Sequence, residues 1–427
     1  MGDNIQYSKK GRFNMITGED INKILQIKES FKLPEKLMSI LLNSEERGEV
    51  FQKFLDLETD LSFDWFTNYF QEQHSNRDNM MQDFTPAELT KILPSLAKDF
   101  KTVVDVCAGT GGLSIACWNK NHDAEFYCEE LSERALPLLL FNMSIRNITG
   151  YIVNKDVLSN EVFAVYKLTK SERFSDITTL ENPPEIHGYD LCVMNPPYSV
   201  KWKYDEKKNP DKRFEEYGYA PSAYADFAFV VHGLNMISEK GELFAILPHG
   251  VLFRGNKESD IRKKFIEKKN LKAIIGLPDK LFLNTQIPVC IIALDKSNNE
   301  KTIFIDASKT VEKGTKQNTL KPEHTEKIAD TYKNLKEVER YSHIATPKEF
   351  EDNDYNMNIS RYVDTYVPPE TIDIIAVTEE LAKLEEKRRD TNRQLLEVFK
   401  ELKANTSDSE KELDAVIANW ERVCRND

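Results

Sequence analysis

The sequence predicts an α/β protein: a doubly wound, mostly parallel sheet, preceded by a helical region and followed by a helical tail. Three observations predict it. From about residue 84, short β-branched runs alternate with helical stretches, the pattern of parallel strands joined by crossover helices. The first of these runs, "KTVVDVCA", ends in a glycine-rich turn that opens a helix. The flanking segments carry helical spacing and no strand-period run.

Residues 17 to about 80 read as helices. "GEDINKILQIKESF" sets Ile21, Ile24, Leu25 and Ile27 at helical spacing, and "PEKLMSILLN" and "GEVFQKFLDL" repeat the pattern. They form an expected helical domain over 1–81. The sheet domain is expected over 82–370. Its strand candidates after the first are "AEFYCEE", the run ending at "VNKDVL", "GYDLCVMNPP", "GELFAILPHGVLF", "LKAIIGLP" and "PVCIIALDK". Helices such as "SERALPLLLFNMSIRN", "AYADFAFVVHGLNMIS" and "KESDIRKKFIEKK" lie between them. Residues 159–188 are mixed polar sequence and read as an insertion. Residues 199–225 carry Trp202, Tyr204, Phe214, Tyr217, Tyr219 and Tyr224 among lysines and acids, and read as a mobile loop whose aromatics order over a ligand. In the tail, 371–427, Ile374, Val377, Leu381, Leu384, Leu395, Val398 and Leu402 fall on a 3–4 spacing, with Arg388 and Thr391 at two seam positions. Such a seam suits pairing with another chain, the polar break serving as a register device; the alternative is an amphipathic helix packed on its own domain.

Composition bounds the function. The chain has 427 residues, long for one core. No apolar run approaches the ~18 residues of a membrane span, and the start, "MGDNIQYSKKGRF", lacks the apolar centre of a secretory signal. Cys107, Cys117, Cys128, Cys192, Cys290 and Cys424 show no zinc-like spacing, and the seven histidines form no cluster. No metal site is expected, and the thiols suit a reducing cytoplasm. With 58 basic and 71 acidic residues the formal net charge is −13. Gripping a polyanion takes basic surface, so a nucleic-acid substrate would require a local basic loop or a partner subunit.

"DVCAGTGGLSIA", residues 105–116, sits between strand and helix. Glycines there let backbone approach a ligand, and the helix start offers free N–H groups; the spacing is not that of GxGxxG. Glu129 and Glu130 end the next strand, where a carboxylate can accept from both ribose hydroxyls of a nucleoside. Glu130 is the preferred residue, with Glu129 the alternative. Asp156, after the third strand, could take an exocyclic amine. Together they outline a pocket for an adenosine-bearing cofactor.

"VMNPPYSV", residues 193–200, ends a strand in an amide, two prolines and a phenol. An amine conjugated to an aromatic ring is a poor nucleophile because its lone pair is delocalised. The Asn195 side-chain oxygen and the Pro196 carbonyl can accept both amine hydrogens, favouring a pyramidal nitrogen. Pro197 stiffens the turn, and Tyr198 can stack on a base that has left its duplex.

These segments resemble the modification subunit of type I restriction–modification systems, a family of N6-adenine DNA methyltransferases. The resemblance runs in order through "DFTPAELTKIL", "VVDVCAGTGGL", "FNMSIRN", "KDVL", "LCVMNPPYS", "DKRFEEYG", "YADFAFVVHGLNMI", "GELFAILPHGVLFRG", "IRKKFIEKKNLKAIIGLPDKLFLNTQIPVCIIALDK", "FIDASK" and "DYNMNISRYV". It implies a Rossmann-like methyltransferase sheet, S-adenosylmethionine as cofactor, and transfer to a flipped adenine of double-stranded DNA. It implies that Phe84, Thr85 and Pro86 lie against the methionine end of the cofactor. Asp105, Gly109, Thr110, Gly111 and Gly112 match the family's glycine loop, Glu130 its ribose acid and Asp156 the acid at the cofactor adenine. Asn195, Pro196, Pro197 and Tyr198 match its catalytic motif. It also implies a specificity subunit as partner, engaged through the C-terminal helix, with a second copy of the chain and a restriction subunit as further members.

The sequence departs from the family at Val106, where proline is commoner, in the longer 159–188 connection and in a shorter N-terminal region. Asn-Pro-Pro-Tyr also serves enzymes that methylate protein glutamine or RNA guanine amines. A third reading is a silent cofactor-binding scaffold, against which the intact motif and acids argue.

Overall fold

The computed structural model describes residues 16–427 apart from 68, 70–84, 186, 205, 209, 283–286, 316, 367–371 and 427. The chain divides into two compact units, Met1–Thr365 and Tyr366–Asp427. The division expected at residue 81 falls inside the first unit.

Among the described residues that unit is built on eleven strands: β1 Thr102–Val106, β2 Glu125–Glu130, β3 Thr149–Asp156, β4 Glu161–Thr169, β5 Asp176–Leu180, β6 Tyr189–Met194, β7 Ile237–Pro248, β8 Leu271–Gly276, β9 Val289–Asp295, β10 Thr302–Asp306 and β11 Ser342–Ala345. Their order across the sheet is β11-β10-β8-β9-β7-β6-β1-β2-β3-β4-β5. The five central strands, β3-β2-β1-β6-β7, are parallel. Beyond them β8 and β10 pair in parallel, and the remaining neighbours are antiparallel. "Mostly parallel" thus describes the centre, and the sheet as a whole is mixed. Residues 159–188 are responsible on one side. They fold as the hairpin β4–β5, which extends the sheet antiparallel to β3.

Helices cover both faces. In chain order they are α1 Gly18–Leu25, α2 Leu33–Leu41, α3 Ser44–Leu55, α4 Ala87–Thr90, α5 Ile92–Leu96, α6 Gly112–Lys120, α7 Leu136–Ile145, α8 Asp226–Met236, α9 Lys257–Glu267, α10 Pro322–Lys333 and α11 Pro347–Asp352. One apolar cluster joins α1–α7 and α10 to one face, and the other joins α8 and α9 to the opposite face. Every residue of α7, "LPLLLFNMSI", is buried, because the sheet lies beneath it and the N-terminal helices lie above. A helix apolar all round must be covered all round. Phe141 takes ring contacts from Phe51 at 4.9 Å, Phe54 at 4.7 Å and Phe66 at 5.0 Å. This shared core is why the N-terminal helices join the sheet in one unit. On the other face Gly233 of α8 lies so close to β6 that a Cβ would meet Met194 Cε at 2.4 Å.

The second unit is a helical hairpin of α12 Ile374–Glu401 and α13 Ser407–Asn426. Trp420 closes it, its ring edge-on to Phe399 at 5.8 Å and its indole N–H donating to the Asn392 carbonyl at 3.1 Å. Leu396 is the residue of α12 that becomes buried, while Ile374, Val377, Leu381, Leu384, Val398 and Leu402 of the expected seam remain more than half exposed.

Candidate active site at the carboxyl edge of the sheet

The strand order reverses between β1 and β6, whose residues pair as Val106 with Met194. Ligand sites of doubly wound sheets lie outside the carboxyl ends of strands at such a switch point. The glycine loop leaves β1 there and Asn195-Pro196-Pro197-Tyr198 leaves β6 beside it. Glu130 and Asp156 end β2 and β3 on the same edge.

The loop is held in conformations that favour glycine: Gly109 has φ +59° and Gly111 φ +94°. A Cβ on Gly111 would sit 2.9 Å from Leu139 Cδ1. Cys107, with φ +67°, takes a left-handed conformation despite its side chain, a strain of about 1–2 kcal/mol. Glu130 fixes the loop from the next strand, accepting the Gly109 amide at 2.7 Å and the Ser132 amide at 2.6 Å. Burial pushes Glu130 above the ordinary glutamate value, and those amides oppose the rise. Asp105 is fully buried; Ser114 donates to its Oδ2 at 2.6 Å, while Oδ1 has no partner among the described residues. Burial lifts its carboxyl to about 7. Asp156 is engaged in its own turn, accepting from the Leu158 amide at 2.9 Å and the Ser159 hydroxyl at 2.8 Å. Left-handed glycines, a carboxylate bonded to loop amides and an unpartnered buried carboxyl oxygen fit a cationic, hydroxyl-bearing cofactor.

Glu129 points to the opposite face of β2 into a buried network. Its carboxylate accepts from Lys155 Nζ at 2.8 Å and His232 Nε2 at 2.7 Å. An Arg213 guanidinium nitrogen lies 3.0 Å from His232 Nδ1, so Nδ1 carries the lone pair and Nε2 the proton. Burial opposes ionisation of Glu129, but His232 and Lys155 outweigh it and hold the carboxyl at about 2. An unfolded glutamate titrates near ~4.3. Its stabilisation is therefore present above that value and is lost as pH falls toward about 2. E129Q should unfold at lower temperature than wild type at pH 7, and the gap should narrow as pH falls below about 4. Thermal unfolding across that range checks it.

At the end of β6, the Asn195 amide group donates to the Thr85 hydroxyl at 2.8 Å, and Asn195 Oδ1 accepts from the Tyr198 phenol at 2.7 Å. Thr85 thus meets Asn195 although 110 residues separate them. Pro86 follows as the N-cap residue of α4; Phe84 lies outside the described residues. Tyr198 packs edge-on against Phe282, centroids 6.3 Å apart.

Sequence reading missed the residues that brace this corner from behind. Ser199, at φ +55°, donates its amide to Asp226 Oδ1 at 3.0 Å. Arg254 reaches Asp226 at 3.1 Å and Glu258 at 3.2 Å and stacks over the Tyr224 ring at 4.2 Å. Asp226 is fully buried and burial raises Glu258 to about 7, opposed by Arg254, so Arg254 is the guanidinium that the two acids share. R254A should cost about 3 kcal/mol, the loss expected when a buried pair loses one partner, read by urea unfolding. The blocks "YADF" and "HGVLFRG" carry these residues, but nothing in their spacing pairs them. The aromatics of 199–225 are also placed differently from expectation. Trp202, Phe214 and Tyr217 are buried and Tyr204 stacks on Tyr219 at 4.3 Å, because rings gain more by packing together than by facing water.

A glycine loop and acid at the switch point place the fold among α/β proteins that bind nucleotide-like cofactors. The N-6 DNA methylase family model matches residues 60–370, and the chain belongs to that family. It is 27% identical over 339 residues to the methylase subunit of the type I restriction enzyme MpnII of Mycoplasma pneumoniae, covering 75% of this chain and 60% of that one. It is 28% identical over 409 residues to the MjaVII methylase subunit of Methanocaldococcus jannaschii, covering 87% and 67%. Among solved structures, the methyltransferase subunit of a type I restriction–modification system from Streptococcus thermophilus superposes with a TM-score of 0.62 at 29% identity, over 82% of this chain and 77% of that one. The chain spans 60% of the Mycoplasma relative's length. Among the described residues no helix is long and apolar enough to cross a membrane, and no group of three or more His, Cys, Asp or Glu side chains could hold a metal.

Proposed function

We propose that the chain methylates the N6 amine of adenine in double-stranded DNA, as the modification subunit of a type I restriction–modification complex working in the cytoplasm. The observation that carries the reading is the Asn195 amide: Thr85 holds its nitrogen end, which leaves Oδ1 as an acceptor at the switch point. S-adenosylmethionine, when bound, supplies an electrophilic methyl group. Gly109, Thr110, Gly111 and Gly112 bring backbone to it, with Phe84, Thr85 and Pro86 on its methionine side. Glu130 takes the ribose hydroxyls and Asp156 the cofactor's amine, while Asp105, bonded to Ser114, anchors the start of the glycine loop.

Asn195 Oδ1 accepts one hydrogen of the target amine, replacing the Tyr198 phenol that it now accepts from. The Pro196 carbonyl accepts the other. Both acceptors suit the pyramidal nitrogen better than the planar one, so their bonds strengthen as the reaction proceeds. Pro197 limits their motion, and the Tyr198 ring lies against the extruded base. The amine proton leaves after its nitrogen has become cationic, so no strong base is required.

The acidic chain takes its DNA grip from partners. The exposed α12 seam suits helices of a specificity subunit; a second copy of the chain and a restriction subunit are further candidates for the same complex. Co-purification with neighbouring gene products, followed by a labelled-methyl assay, tests the reading. Label in DNA adenine is expected; label in protein glutamine or RNA instead would overturn it.

A further inference from the structure

We propose that Asp64, in the segment after α3, is a positioning residue of the cofactor site, fixing the glycine loop through Thr110. The inference rests on the reading that this loop holds the cofactor. The Asp64 carboxylate accepts from the Thr110 hydroxyl at 2.5 Å and the Thr67 hydroxyl at 2.7 Å on Oδ2, and from Asn142 Nδ2 at 2.7 Å and the Phe66 amide at 2.9 Å on Oδ1. Asn142, fully buried in α7, also donates to the Thr110 carbonyl at 2.8 Å. Both ends of Thr110 are therefore tied to one acid–amide pair.

The segment carrying Asp64 is itself clamped by the helices that flank the loop. Arg146, next after α7, donates to the Leu61 carbonyl at 2.8 Å and the Phe63 carbonyl at 2.6 Å. Asn119 of α6 donates to the Ser62 carbonyl at 2.6 Å. Arg146 also reaches the Asn142 carbonyl at 2.7 Å, so one guanidinium braces the residue that Asp64 shares with the loop.

Docking of the N-terminal helices does not need this latch, since Phe51, Phe54 and Phe66 already pack around Phe141. The loop does need it. Its left-handed residues at Cys107, Gly109 and Gly111 are entropically costly to fix, and a loop left loose must be ordered by its ligand. The latch orders it beforehand.

The test measures S-adenosylmethionine binding to the full chain by calorimetry and methyl transfer by the co-purified complex. D64N is expected to weaken cofactor binding about tenfold, raising its KM, while kcat at saturating cofactor stays within about threefold. T110V should likewise weaken cofactor binding, T110S, which keeps the hydroxyl, should bind more tightly than T110V, and D64N/T110V should bind no worse than either single change. Wild-type affinity in D64N, or fully additive losses in the double variant, would overturn the proposal. Should D64N fail to fold, T110V against T110S reads the same bond from the loop, and equal affinities would overturn it. A wild-type chain with no affinity for the cofactor would instead overturn the functional reading, and the latch with it.

Discussion

N195A is expected to lose methyl transfer by about 10³-fold or more while binding S-adenosylmethionine within about threefold of wild type. The size follows from the role. An acceptor that strengthens as charge develops in a water-poor site contributes about 10²–10³-fold on its own. Here its loss also releases the Tyr198 phenol and the Thr85 hydroxyl from their shared partner, so the corner loses its orientation as well. The cofactor is largely spared because most of its expected contacts, the glycine loop after β1 and Glu130 at the end of β2, are independent of Asn195, and Thr85 is the one expected contact that loses a partner. Filter-binding of labelled cofactor, beside a single-turnover methylation assay, separates the two effects. Equal loss of both would make Asn195 a cofactor ligand and remove it from the chemistry.

Truncation after residue 370 is expected to abolish assembly with the specificity subunit, while the remaining chain stays folded. The second unit is a hairpin with its own closure, Trp420 against Phe399, and the first has its own core. What the cut removes is the apolar seam of α12, whose Leu381 and Leu384 are 58% and 57% exposed. Each such side chain is worth about 1.5–3 kcal/mol when fully buried, so a partner helix covering the row has ample driving force. Size-exclusion chromatography of the co-expressed subunits reads the outcome; an unchanged complex mass would place the contact elsewhere.

Much of this was legible in the sequence. The central strands declared themselves as β-branched runs before turn residues, and the edge on which the candidate site's motifs lie followed because strand-terminal motifs share one edge in a doubly wound sheet. The hairpin β4–β5 was not legible: "EVFAVYKLT" and "DITTL" are half polar, as antiparallel strands with one wet face are, and read as connection. The aromatics after Asn195-Pro196-Pro197-Tyr198 misled, since irregular spacing cannot tell rings packed on one another from rings on display. Asp64, Asp226 and Arg254 were invisible for another reason. Each is a single polar residue whose meaning lies in a partner 28 to 78 positions away, and one sequence carries no signal for such pairs. Thr85 was reached through resemblance alone.

A crystal structure of the chain with S-adenosylhomocysteine bound tests the central claim most directly. The account predicts Asn195 Oδ1 and the Pro196 carbonyl opening toward the ligand's sulfur, with Glu130 at the ribose. A ligand whose sulfur faces a different pair of polar groups, with the Asn195 corner turned away, would contradict it.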